Sequence, residues 1–78
     1  MNTYKTPEDA LALLLAQTLN DYDALPFYRK YASQYKEAFL RRILEKVMSI
    51  EDKKIKKSRG ALFTYLVSHH EANTHLRD

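Results

Sequence analysis

The sequence predicts an all-α fold, a compact bundle of four helices with a short helical turn before the last one. Residues that favour turns are scarce, with one glycine and two prolines among 78 residues. Apolar residues recur at helical spacing in four segments, and no run of β-branched residues interrupts them. A chain of this length holds one small core. We therefore expect a single helical domain over residues 1–78, with 1–5 and 71–78 as loose ends.

The first helix is predicted over about residues 7–20. Thr6 supplies a capping hydroxyl, Pro7 fits the first helical position, and Glu8 and Asp9 place carboxylates at the positive end of the helix dipole. The residues that follow at i, i+3, i+4, i+7 and i+8 form a continuous stripe: Leu11, Leu14, Leu15, Thr18 and Leu19. This pattern is typical of a helix that contributes to the core.

The second and third helices are predicted over about residues 24–33 and 36–48. The polar segment 20–23 is suited to a turn, and Asp23 can cap a helix that tolerates Pro26 in its first turn. The third helix has the clearest amphipathic pattern of the chain. Its apolar residues are Phe39, Leu40, Ile43, Leu44, Val47 and Met48.

The fourth helix is predicted over about residues 58–70, with Ser58 as its N-cap. Residues 50–56 are expected to form a turn with a short helical piece, anchored by Ile50 and Ile55. The alternative is one long helix over 50–70 with Gly60 inside it, which would cost about 1 kcal/mol relative to alanine. The position of Ser58 directly before Arg59 and Gly60 favours the break.

Composition excludes several classes of protein. The chain has no cysteine, so disulfides and thiolate metal sites are impossible. The longest apolar run, 10–16, is too short to span a bilayer, and the carboxylates before it do not fit a signal peptide. We therefore expect a soluble cytoplasmic protein with no membrane partner.

Charge is distributed unevenly along the chain. The formal net charge is +3, but residues 1–28 carry one basic and four acidic side chains, and residues 29–78 carry twelve and six. The densest cluster is Lys53, Lys54, Lys56, Lys57 and Arg59. Such a cluster matches the electrostatic footprint of proteins that bind nucleic-acid backbones, although a solvated lysine surface is the common alternative.

Other basic and capping residues surround this cluster. Arg42 and Lys46 lie one turn apart on the third helix and can extend it. Ser58 as a cap, and Gly60 with no side chain over the first turn, predict an anion site at the start of the fourth helix. The Arg59 fork can grip phosphate or guanine at two points. A helix-turn-helix arrangement of residues 50–56 with the fourth helix is an alternative geometry.

The aromatic residues suggest a second class of function. Three of the six tyrosines lie between residues 28 and 35, where a core edge is the usual explanation and base stacking the sharper one. Exposed Phe27, Tyr28 and Tyr65 would form the interface of a protein–protein adaptor or a homodimer, with no role in nucleic-acid binding.

Nothing in the sequence indicates catalysis or a cofactor. There is no cysteine nucleophile, nucleophile elbow or glycine loop that cradles phosphate. His69, His70, Glu71 and His75 lack the spacing of zinc ligands on a helix, since only Glu71 and His75 are four apart. We expect neither an enzyme nor a metal site.

The segment 56–66, Lys-Lys-Ser-Arg-Gly-Ala-Leu-Phe-Thr-Tyr-Leu, resembles the Asn-Pro-Gly-Ala-Tyr-Phe pattern in C-terminal helical modules of bacterial primosomal and plasmid replication-initiator proteins. Leu-Pro-Phe-Tyr at 25–28, followed by Lys-Glu-x-x-Leu-Arg-Arg at 36–42, is similar in rhythm to the helices before that pattern. Ser58-Arg59 replaces the Asn-Pro, and the resemblance covers about residues 24–68. It implies a DNA-associated accessory module in replication or mobile elements, with Lys56, Lys57, Arg59 and Tyr65 on its functional surface. DNA is thus favoured over RNA.

Overall fold

The computed structural model describes residues 6–69 and Leu76. The predicted all-α class is confirmed: the helices are α1 (Pro7–Thr18), α2 (Leu25–Gln34), α3 (Glu37–Met48) and α4 (Arg59–His69). Two 3₁₀ turns, Tyr22–Ala24 and Asp52–Lys54, precede α2 and α4, and this part of the chain contains no strand. Each helix boundary lies within two residues of its predicted position.

The break before α4 is also confirmed. Ile55 has an extended backbone, with φ −85° and ψ 114°, so the chain leaves the helical conformation after the second 3₁₀ turn. A single helix over residues 50–70 is therefore wrong. Most of the expected loose ends, 1–5 and 71–78, lie outside the described residues, and Leu76 forms an isolated antiparallel bridge with Tyr35.

Both ends of α1 are closed by hydrogen bonds between residues that are close in sequence. The Thr6 hydroxyl accepts the Asp9 N–H at 3.1 Å, as expected for the N-cap. At the other end Asn20 adopts a left-handed backbone, with φ 52°. The Asp21 N–H donates to the Ala16 carbonyl at 2.9 Å and the Asn20 N–H to the Gln17 carbonyl at 3.1 Å. This pair of bonds is a Schellman motif, which turns the chain at the predicted polar segment.

The start of α2 differs from the prediction that Asp23 caps it. The first 3₁₀ turn runs directly into α2, and the residue at the N-cap position is Ala24, with no side-chain hydrogen bond. The Ala24 N–H donates to the Asp21 carbonyl at 3.2 Å, and the Leu25 N–H donates to the Tyr22 carbonyl. Backbone carbonyls therefore accept hydrogen bonds from N–H groups at the start of α2, which is the role predicted for a capping carboxylate.

The helices pack as two pairs, α1 against α2 and α3 against α4. One cluster of buried apolar side chains draws on all four helices, and both Leu15 and Ile43 belong to it, as their stripes predicted. The Tyr28 ring of α2 meets the Phe63 ring of α4 edge to face, with centroids 5.8 Å apart. This contact joins the two helix pairs near the start of α4.

None of the helices in the described part of the chain is long and apolar enough to cross a membrane.

Candidate basic groove at the start of the last helix

An open groove of about 500 Å³ lies beside the first turns of α4, and we call it the basic groove. The chain on either side of the α4 N-cap forms it. Its lining residues are Lys54, Ile55, Lys56, Lys57, Ser58, Ala61, Leu62 and Tyr65. Half-buried Ile55 and Leu62 give it an apolar floor, and the lysines stand at its rim.

Three of the five predicted cations meet at this groove. Lys54, Lys56 and Lys57 are exposed, and no carboxylate within residues 6–69 forms an ion pair with them. Lys53 lies on the same 3₁₀ turn as Lys54 but does not line the groove. Its Nζ is 3.4 Å from an exposed Glu51 carboxylate oxygen. The result is a concentration of positive charge around an apolar surface, with no ion pair from these three lysines to the described carboxylates.

Arg59 does not present its fork to solvent, so the expectation of a free fork that grips phosphate or guanine at two points is wrong. Its Nη1 donates to the Val47 carbonyl at 2.6 Å, and its Nη2 donates to the Ile50 carbonyl at 2.8 Å. Nη2 also forms an ion pair with Asp52, and the side chain is only 19% exposed. The guanidinium thus ties the end of α3 to the segment that follows it, and it adds a second donor to the Val47 carbonyl, which also accepts the Ile50 N–H at 3.3 Å.

The Ser58 N-cap is confirmed, because its hydroxyl accepts the Ala61 N–H at 3.0 Å. Gly60, by contrast, is buried, and the expectation that it leaves an open backbone is wrong. A Cβ at Gly60 would overlap the Asp21 carboxylate and lie 3.0 Å from the Tyr28 hydroxyl. The connection between α1 and α2 therefore covers the first turn of α4 and brings a carboxylate against it.

Tyr28 is fully buried, so the expectation that it is an exposed interface residue is wrong. Its hydroxyl donates to the Asp21 carboxylate at 2.9 Å. Burial raises the pKa of Tyr28 well above its usual value, and the hydrogen bond to Asp21, the charge of Asp21 and Tyr31 raise it further. The Tyr28 ring packs on Phe63, which is why α2 turns this side chain inward.

Tyr65 and Phe27 are exposed, as predicted, but they lie in different places. Tyr65 is 56% exposed and lines the basic groove, whereas Phe27 is 62% exposed at the start of α2 and does not line it. The Tyr65 ring stacks on the His69 ring, with centroids 4.1 Å apart and planes 19° apart. His69 Nδ1 is 2.8 Å from the Tyr65 carbonyl oxygen.

The sequence contains a signal for the groove in addition to its charge. Ser58, Ala61, Leu62 and Tyr65 lie at i, i+3, i+4 and i+7, which places them on one face of α4. The lysines before Ser58 line the same groove as this face of α4. The seven-residue spacing from Ser58 to Tyr65 therefore places the aromatic ring on the side of α4 that borders the basic cluster.

The remaining predicted site residues lie elsewhere. Arg42 and Lys46 are exposed on α3, and neither lines the groove. No group of potential metal ligands occurs among residues 6–69 and Leu76. Of the histidine group considered in the sequence, His70, Glu71 and His75 lie outside the described residues.

No protein-family model matches the chain, and no curated protein and no solved structure matches it.

Proposed function

We propose that this chain is a small, non-catalytic module that binds the phosphate backbone of nucleic acid, DNA in preference to RNA, through Lys54, Lys56 and Lys57. The observation that supports the proposal is that three exposed lysines, free of ion pairs to the described carboxylates, stand at the rim of one groove. Each lysine that reaches a phosphate releases condensed counterions, which favours binding without base-specific geometry.

Lys53 can join these three lysines. Its ion pair with Glu51 is exposed on both sides, and such surface pairs contribute at most about 1 kcal/mol, so a phosphate can replace the carboxylate. Arg42 and Lys46 would extend the contact on α3 if a long strand or duplex reaches that far. Arg59 instead contributes by fixing the chain between α3 and α4, from which the lysines project.

The preference for DNA, and a role as a cytoplasmic accessory protein in bacterial replication or mobile elements, rest on the resemblance of residues 24–68 to replication-initiator modules. In that setting a module without base readout would add affinity and position to a larger assembly. Its own contribution would be electrostatic, and therefore sensitive to salt.

Fluorescence anisotropy with a labelled duplex and a labelled single strand tests the proposal between about 50 mM and 200 mM salt. Three phosphate contacts predict a slope of about −2.7 for log K against log salt on duplex DNA. The variant Lys56→Gln/Lys57→Gln should lower the magnitude of the slope by nearly two. Lys30→Gln/Lys36→Gln is the matched control, because it removes the same charge from exposed positions away from the groove. Equal losses in the two variants, or binding that ignores salt, would contradict the proposal.

A second candidate is a protein–protein adaptor or homodimer that uses Phe27. The observation in its favour is that Phe27 is 62% exposed, more than any other large apolar side chain of the described residues. An aromatic interface of this kind would respond little to salt. Sedimentation velocity over a range of protein concentrations would detect self-association, and Phe27→Ser should abolish it. A monomer at all concentrations would exclude the homodimer.

A further inference from the structure

We infer that the basic groove takes a single-stranded segment with one base packed on Tyr65, so that the module prefers a single strand to a duplex. This inference rests on the proposed function and names the form of nucleic acid that the same groove would take.

Tyr65 is placed for this role by both its exposure and its neighbours. It is 56% exposed, yet it lines the same groove as Lys54, Lys56 and Lys57. An exposed aromatic ring beside cations that can follow a backbone is the arrangement by which proteins hold single strands. His69 stacks on one face of the ring, so a base would use the opposite face, and the stacked histidine limits rotation of the ring.

The size of the apolar floor favours a base over a peptide helix. Along α4 the apolar lining extends from Ala61 through Leu62 to Tyr65, about 6 Å at the rise of an α-helix, and polar Ser58 bounds it on the N-terminal side. An amphipathic helix uses anchors at i, i+3, i+4 and i+7, which need about 10 Å of continuous apolar surface. A groove of about 500 Å³ nevertheless has the volume of a small-ligand site, which suits one or two nucleotides.

A duplex would use only part of this site. Its bases are paired and stacked on one another, so their faces are closed to Tyr65, and only its phosphates could meet the lysines. A single strand can present phosphates to the rim and a base to the ring at the same time. The single strand should therefore bind more tightly than the duplex when the salt concentration is the same.

The experiment measures the affinity of three labelled probes of equal length: an oligo-dT strand, the same strand with abasic sites, and a duplex. Tyr65→Ala should weaken binding to oligo-dT by at least about fivefold and leave the abasic strand and the duplex unchanged. Tyr65→Phe keeps the ring and should bind like the unmodified chain. Tyr22→Ala is the matched control, since Tyr22 is 55% exposed and lies outside the groove.

The outcomes separate this inference from the proposed function. If oligo-dT and the abasic strand bind equally, or if Tyr65→Ala and Tyr22→Ala behave alike, the base-stacking inference is overturned while the lysine-dependent salt slope still supports backbone binding. If Lys56→Gln/Lys57→Gln binds oligo-dT as well as the unmodified chain, the proposed function itself fails. An acidic amphipathic peptide that displaces the strand, and binds more tightly than it through Tyr65, would assign the groove to a protein partner instead.

Discussion

At the residue scale, the Asp21 carboxylate organises the contact between the two helix pairs. It accepts the Tyr28 hydroxyl at 2.9 Å, and it occupies the space that a side chain at position 60 would need. A carboxylate near the first turn of α4 also complements the positive end of that helix. The first turn of α4 therefore meets an anion that belongs to the chain, and the lysines of the groove remain for an external one.

Tyr28 makes this arrangement sensitive to alkaline pH. Folding raises the pKa of Tyr28, so the unfolded chain loses the phenolic proton first, and the unfolding free energy should fall as the pH rises above about 10. Below that pH the stabilisation that the protonated Tyr28 phenol gives to the folded state is fully present. Tyr28→Phe removes the titrating group, and its unfolding free energy should decline less steeply from about pH 8 to pH 11 in urea titrations.

Tyr22→Phe is the control for this comparison, because Tyr22 is an exposed tyrosine of the adjoining 3₁₀ turn. It should follow the pH dependence of the unmodified chain. Parallel pH profiles for Tyr28→Phe and the unmodified chain would show that the buried phenol does not contribute.

Arg59 is predicted to stabilise the fold, because its guanidinium joins two carbonyls and a carboxylate around the end of α3. Arg59→Ala should lower the unfolding free energy by about 2 kcal/mol, the range for hydrogen bonds to charged groups. Arg59→Lys should recover only part of this loss, since an ammonium group lacks the planar fork. Urea denaturation measures the unfolding free energy of both variants, and Arg42→Ala, at an exposed position of α3, is the control that should change it little. Full stability of Arg59→Lys would rule out the fork geometry.

At the element scale, the helices could be predicted because their signals are local. Thr6 and Ser58 cap the residues that directly follow them, and the stripes of α1 and α3 are continuous. Asp21, Tyr28 and Gly60 could not be assigned in the same way, since their roles arise where the α1–α2 connection meets α4, about forty positions along the chain. Periodicity gives the face of a helix but not the element packed against it.

Because periodicity does not reveal which elements pack together, only some residues of the candidate site could be placed from the sequence. The lysines were identifiable because exposed charge needs no tertiary partner. The sequence pattern assigns Arg59 to a ligand because no pattern reveals that its guanidinium contacts the carbonyls of Val47 and Ile50 in the fold. Tyr65 was recognised as exposed, but its place beside the lysines depends on how residues 54–57 approach α4.

The end of α1 offers a test at this scale. Asn20 has φ 52°, a conformation that a side chain with Cβ adopts at a cost, although asparagine tolerates it better than most. Asn20→Ala should lower the unfolding free energy by about 1 kcal/mol, and Asn20→Gly should be neutral or stabilising. Thermal melts measure the stability of both variants, and Gln17→Ala, at an exposed position of α1, is the control. Equal melting of the alanine and glycine variants would contradict the left-handed cap.

At the scale of the whole molecule, the basic groove depends on parts of the chain that do not line it. Residues 54–65 supply all of its lining, yet α1 and α2 hold the first turn of α4 through Asp21 and Tyr28. The acidic first part of the sequence thus supports the basic second part from within the fold. A fragment that carries only the lysines would keep their charge but lose the support for Tyr65 and the floor.

This dependence predicts one cooperative unfolding transition. Leu15 of α1 and Ile43 of α3 belong to a single buried cluster, so Leu15→Ala and Ile43→Ala should each lower the unfolding free energy by about 2–5 kcal/mol. A domain of this size has only about 5–15 kcal/mol, so each change should shift the melting of the entire chain. Circular dichroism for helices and tyrosine fluorescence for the α2–α4 contact should give coincident midpoints in both variants. Met48→Ala, at a position 41% exposed, should melt close to the unmodified chain. Two separate transitions in Leu15→Ala, with the α3–α4 pair outlasting α1 and α2, would show that the helix pairs fold independently and that the groove needs no support from the first half.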